Sequence, residues 1–370
     1  MRIDAVSSWL EPVPLRRPYE IASMRISHVD LLFLRVTTDE GVEGVGSASP
    51  AEEVTGESTA DCSAALGAAR LAWLNGRDPR QLAPLLRELE RSHRATPAAR
   101  AAVDMALHDL VARLRGVPLV NLLGRCHDSL PTSVTIGISS VEETLAEAAE
   151  LLGRGFRCLK LKVGRSFDED VARLHMLRER VGPEVAIRID ANQGCTPAEA
   201  CRFGDIARRL GLELVEQLLP ADALAEMRAL PESLRRILVA DESLQDEDDA
   251  RALVKDPAAC GIFNVKLMKC GGIHPARAIA EIAHAAGVEL MWGCNDESTV
   301  SIAAALHAAY SSPNTRYLDL DGSFDLARDP FAGGFSVEDG CLRLLDRPGL
   351  GVDLGEPPAS GSPAWSATVP

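Results

Sequence analysis

The chain has 370 residues, 46% hydrophobic and 25% charged, which is ordinary globular composition and length enough for one large domain with a smaller one, or for two domains. A net charge of −15 argues against nucleic acid as the main partner, because phosphate binding calls for a basic face. Nine cysteines without a CxxC pair, an N-terminal "MRIDAVSSWL" without an apolar signal core, and no run near the ~20 apolar residues of a membrane helix point to a reduced, cytoplasmic setting with no membrane partner.

Residues 1–125 read as an α+β unit. "LLFLRVTTDEGVEGVGSAS" predicts two strands around a "DEG" turn. "DCSAALGAARLAWL" and "PAARAAVDMALHDLVARLRG" carry apolar residues at helical spacing, the second closing on Gly116 and Pro118. Residues 126–322 have a different beat. "SVTIGIS", "CLKLKVG", "VAIRIDAN", "LELVEQ", "ILVADES", "IFNVKLMK", "VELMWGC" and "RYLDLD" start about 25 to 28 residues apart. Amphipathic helices such as "EETLAEAAELLGRG" and "PARAIAEIAHAAG" separate most of them. Eight strand–helix units at that period predict an α/β fold, a parallel TIM-type (β/α) barrel; an open doubly wound sheet is the alternative, but no GxGxxG follows a strand. Residues 323–370 lack periodicity, and "EPPASGSPAWSATVP" reads as a loose tail.

Function in such a barrel collects at the C-terminal ends of the strands. The second run ends in Lys160 and Lys162, two apart and therefore on one face. Two ammonium groups in a buried strand need compensating carboxylates. The third run supplies Asp190 with Asn192, the fourth Glu216, the fifth Asp241 with Glu242. The sixth carries Lys266, with Lys269 just beyond, and the eighth ends in Asp319 and Asp321. Asp190, Glu216 and Asp241, on consecutive strands, would repel one another unless a cation lies between them. Oxygen-only ligands favour Mg²⁺, with Mn²⁺ as the substitute, over Zn²⁺. The cation and neighbouring ammonium groups are expected to lower a lysine's pKa and free a base near pH 7. Two bases on opposite sides of a metal-bound carboxylate suit proton removal and return at the adjacent carbon, with Lys160 and the metal holding the developing charge.

The stretches "LKLKVG", "IRIDANQG", "LELVEQ", "VADES" and "NVKLMKCGGI" together resemble the enolase superfamily, muconate lactonizing enzyme subgroup, over nearly the whole chain. The pairing of lysine or histidine bases with Mg²⁺ is established chemistry of that superfamily. The resemblance implies a modified (β/α)7β barrel, an N-terminal α+β capping domain, and a C-terminal segment returning to the cap. It implies Lys162 and Lys266 as the acid/base pair, Asp190, Glu216 and Asp241 as ligands of one Mg²⁺ per subunit, and Lys160 as support for the substrate carboxylate.

"YLDLDG" is similar to the Asp-x-Asp motif of dipeptide epimerases, where two carboxylates hold a substrate α-ammonium; Asp319 and Asp321 match it. Two added negative charges suit a cationic group and disfavour muconate or N-succinyl amino acids. The small-molecule substrate is then a dipeptide, with Thr135 on the first strand expected to touch it. Departures bear on specificity. "VEQLLP" stands where relatives often read "VEQP". Met24, beside Arg25, falls near a capping-loop arginine of relatives that prefer Ala-Glu. Asp296 and Glu297 in "GCNDES" add acid at the seventh strand end. These changes point to basic or neutral polar side chains. The readings that compete with an epimerase are a cycloisomerase, an o-succinylbenzoate synthase or N-acylamino acid racemase of the same superfamily, and a barrel retained as a binding protein. A homo-oligomer is compatible with the sequence.

Overall fold

A computed structural model of the chain describes residues 1–20, 25–355 and 365–367. Three long strands build the N-terminal sheet: Ile3–Glu20, Arg25–Thr38 and Glu43–Ala48, paired antiparallel. The first was not foreseen. Pro12, Pro14 and Pro18 interrupt its alternation, and the register with the second strand shifts between Pro14 and Tyr19. The sheet packs on the helix Pro97–Arg115, which opens on a proline and closes at Gly116 in the left-handed region. Contact is close enough that a Cβ on Gly46 would lie 1.9 Å from the Ala102 carbonyl oxygen, so only glycine fits. This helix is buried on almost every side because the barrel helix Leu267–Cys270 packs against it too. The expected helix "DCSAALGAARLAWL" is broken: Thr59–Ala65 and Ala68–Leu71 flank Gly67.

The eight later strand expectations are all met. Val134–Ile136, Cys158–Lys162, Ala186–Asp190, Leu214–Glu216, Leu238–Ala240, Ile262–Val265, Glu289–Gly293 and Thr315–Asp319 pair in chain order, each parallel to the next. A parallel bridge between Thr132 and Leu318, with Ser133 N–H donating to the Leu318 carbonyl at 3.0 Å, joins first to last. Helices between them start where their sequence says: Ser140 and Thr196 form reciprocal capping boxes with Glu143 and Glu199.

Residues 323–370, which lack periodicity, nonetheless contribute strands. Phe335–Glu338 and Cys341–Leu344 form a hairpin that pairs with Leu130–Pro131, and Trp365–Ala367 adds an antiparallel edge strand to the first strand of the cap sheet. Backbone pairing across the fold, which local composition does not encode, orders these pieces. Among the described residues, no helix is long and apolar enough to cross a membrane.

Candidate active site

Strand register decides which side chains meet. Lys162 lies opposite Asp190, and Asp190 opposite Glu216, so the three stand at one level of the barrel. Glu216 lies opposite Val239, which puts Asp241 two residues further along and on the same face. The barrel still brings them together: one carboxylate oxygen each from Asp190, Glu216 and Asp241 lies within 4.8 Å of the others, and all three side chains are buried.

The lysines pin this cluster from two sides. Lys162 Nζ donates to Asp190 Oδ2 at 2.7 Å. Lys266, on the diametrically opposed sixth strand end, donates to Asp241 Oδ2 at 2.7 Å. Lys160 is more deeply set and touches Asp319 Oδ2 and Glu216 Oε2 at 2.7 Å and Asp190 Oδ2 at 3.1 Å. Lys269 donates to Asp241 Oδ1 at 2.6 Å and to the backbone carbonyls of Asp241 and Asn264. Two residues went unnoticed in the sequence. Asn264 donates to Glu216 Oε1 at 2.6 Å, and it stands two before Lys266, so strand parity could have found it. Gln217, with φ of 34°, accepts from Asp241 N–H at 2.8 Å and Ser243 N–H at 3.2 Å, and so fixes the "VEQLLP" turn against the fifth strand end.

Charge balance across the cluster is uneven. Burial pushes Asp190 up, but Lys162 and Lys160 overcome this and hold it at about 2. Asp241 is likewise low, Lys266 and Lys269 outweighing burial. Glu216 goes the other way, to about 8, through burial and the Asp190 charge. Its Oε2 contacts Lys160 without hydrogen-bond geometry, and Glu242 Oε2 nearby has no hydrogen-bond partner among the described residues. Converging buried carboxylate oxygens, with lone pairs unused on Glu216 and Glu242, are what a hard divalent cation satisfies, so this donor set fits Mg²⁺. Taken alone, the protein's own carboxylates act in the opposite direction to a cation on Lys266 and Lys160. Burial pulls Lys266 down, but Asp241 and Glu216 outweigh it and leave it above the ordinary lysine value; Lys160 is raised in the same way by Asp319 and Glu216.

A cleft of about 1360 Å³ opens above the cluster, between the cap strands and the barrel mouth. Lys160, Lys162, Lys266, Thr135, Asp296, Asp319, Asp321 and Arg25 line it. Asp319 is partly committed: Ser133 Oγ donates to its Oδ1 at 2.6 Å and Lys160 holds the other oxygen. Asp321 accepts from Thr135 N–H at 2.7 Å, and burial with the Asp319 charge pushes it to about 7. Asp296 accepts from the cap's Tyr19 hydroxyl at 2.9 Å, and burial pushes it to about 6. Glu297 does not reach the cleft. It is 2% exposed and accepts from Asn295 N–H at 2.8 Å, ordering the turn before the helix Thr299–Ala309. Met24 lies outside the described residues.

Residues 5–124 match the family model "Mandelate racemase / muconate lactonizing enzyme, N-terminal domain" and residues 143–357 match "Enolase C-terminal domain-like". The L-Lys-D/L-Arg epimerase of Methylococcus capsulatus is 55% identical over 95% of this chain and 99% of its own length. A crystal structure of the Methylococcus capsulatus dipeptide epimerase with Mg and L-Arg-D-Lys superposes with a TM-score of 0.95, at 55% identity, over 96% of this chain and all of that one. The substrate-liganded L-Ala-D/L-Glu epimerase of Bacillus subtilis gives 0.90 at 34% identity, over 96% of this chain and 99% of that one.

Proposed function

The chain belongs to the enolase superfamily, and from that premise we propose that it is a Mg²⁺-dependent dipeptide epimerase that inverts the α-carbon of the C-terminal residue of dipeptides with cationic side chains. The observation that carries the chemistry is the placement of Lys162 and Lys266 on opposed strands, each 2.7 Å from a different carboxylate of one triad. A substrate carboxylate at the triad has one lysine on each face of its α-carbon. Mg²⁺ held by Asp190, Glu216 and Asp241 supplies charge stabilisation for that carboxylate when bound. Lys162 or Lys266, in its neutral form, takes the α-proton, and the electron pair spreads into the carboxylate beside the Lys160 ammonium. The opposite lysine, protonated, delivers its proton to the other face. The two lysines end with exchanged protonation states, and the carbon is inverted.

Asp321, with Asp319 beside it, offers negative charge for the α-ammonium of the N-terminal residue. Asp296, under the cap, offers it for a basic side chain. The dipeptides named for the Methylococcus capsulatus relatives support this substrate class. The test is mass spectrometry in D₂O with L-Arg-L-Lys, L-Lys-L-Arg and L-Ala-L-Glu. The expected result is deuterium at the C-terminal α-carbon with inversion, fastest for the basic dipeptides. Preference for L-Ala-L-Glu sinks the substrate class. Exchange from both isomers that survives Lys266→Ala sinks two-base inversion.

A further inference from the structure

The Lys162 side chain hangs from the end of a strand, and its direction depends on how that end is held. Buried behind it, in the helix Phe167–Val181, is Arg173, 2% exposed and not among the residues lining the cleft. Its guanidinium donates in three directions: Nη1 to the Lys162 carbonyl at 3.0 Å, Nη2 to the Gly137 carbonyl at 2.9 Å beyond the first strand, and Nε to Thr144 Oγ1 at 3.1 Å in the following helix. Asp170, equally buried, takes Nη1 at 3.1 Å and accepts from Gly164 N–H at 2.8 Å. The pair therefore grips the chain on both sides of Val163. Gly164 has φ of 102°, and a Cβ there would come 2.7 Å from the Ala191 carbonyl oxygen, so this exit turn rests directly on the strand end that carries Asp190. Gly137 leads to Ile138, whose N–H donates to the Glu20 carbonyl of the cap at 3.0 Å.

We infer that Arg173, braced by Asp170, is a positioning residue for the Lys162 base: it fixes the backbone from which that lysine reaches the α-carbon and ties it to the cap. A buried charge pair this well satisfied exceeds what simple packing needs, and replacing it by apolar groups would often cost little stability. What only the fork of a guanidinium supplies is simultaneous anchoring of three backbone and side-chain oxygens from three elements. Lys266 hangs from the opposite side of the barrel and shares none of these bonds.

This inference rests on the two-base reading, and the experiment separates the two. Arg173→Lys keeps the charge and loses the fork. Deuterium exchange is measured for each epimer of L-Arg-L-Lys, the epimer served by Lys162 being the one whose exchange Lys162→Ala abolishes. Arg173→Lys is expected to slow exchange of that epimer on the order of tenfold or more, as misplacement of a reacting group does, while exchange of the other changes by less than about threefold on the same scale. Should Arg173→Lys fail to fold, Asp170→Asn, nearly isosteric, is read in the same way. Equal loss for both epimers, or no loss, overturns the positioning role. If Lys162→Ala and Lys266→Ala do not themselves split the epimers, the two-base reading falls and the inference with it.

Discussion

Lys160→Met removes one ammonium from beneath the triad while keeping the length of the side chain. Lys160 Nζ contacts Asp319 and Glu216 at 2.7 Å and Asp190 at 3.1 Å, all four groups being buried. At an effective dielectric near 20, each 2.7 Å contact is worth about 6 kcal/mol of gross attraction. Desolvation of the ions takes back most of this, and stripping one partner from a buried pair costs about 3–5 kcal/mol net. For a chain of 370 residues the unfolding entropy scales so that 1 kcal/mol moves Tm by about 1.3 °C, giving a fall of about 4–6 °C. The assay is thermal unfolding in metal-free buffer and again with excess Mg²⁺. The ion compensates the same carboxylates, so the deficit should shrink when Mg²⁺ is present. A fall under about 1 °C without metal, well below what that net cost predicts, or a deficit that grows on adding Mg²⁺, refutes the view that Lys160 is held there as the counter-charge of the cluster.

Other perturbations reach different parts of the argument. Chelation should abolish exchange, and Mg²⁺ at about one hundred times its Kd should raise the melting point by about 3–4 °C, equivalent to about 2.7 kcal/mol; a metal-independent exchange rate would contradict the ligand assignment. Asp296 is raised from 3.8 to about 6, so its neutral form is the one the fold prefers, and its contribution is full below pH 4 and lost as pH rises through 6. Asp296→Asn should therefore match the parent at pH 4 and melt higher at pH 8, while its KM for basic dipeptides rises; thermal scans and initial rates at the two pH values check both. Gly46→Ala forces a methyl onto the Ala102 carbonyl and should cost about 1–3 kcal/mol, or about 1–4 °C in Tm, with unchanged KM in the surviving folded enzyme.

Much of the site was legible because it follows from two simple rules. Parity puts Lys160 and Lys162 on one face, and barrel order puts the sixth strand opposite the second. Given those, the identity of the strand-end residues names the cluster without coordinates. What parity does not encode is which atoms pair. Lysines read as neighbours of a cation and of each other also lie 2.7 Å from carboxylates, and Asp241 raises Lys266 against burial. Glu297 and Asp296 are adjacent in sequence and both acidic, yet a turn sends one into the cleft and the other onto the Asn295 amide. The cap strand Ile3–Glu20 hid behind its prolines, although the Tyr19 hydroxyl at its end is what holds Asp296.

Apart from Asn264, which donates to the Glu216 side chain, the residues that sequence left silent act through backbone atoms. Gln217 accepts from the Asp241 amide, and Arg173 binds the carbonyls of Lys162 and Gly137. A backbone partner has no letter of its own, so no motif points to it, and an isolated buried arginine or glutamine reads as ordinary core. The groups that react are written in the strand ends; the geometry that lets Lys162 and Lys266 address opposite faces of one carbon is written one layer back. Changes in that layer should therefore slow solvent exchange of one epimer more than that of the other while the epimerisation equilibrium stays fixed, whereas changes at the triad should lower both exchanges together. Comparing forward and reverse exchange across both sets of variants decides the matter, and uniform losses throughout would mean that the supporting layer is merely structural.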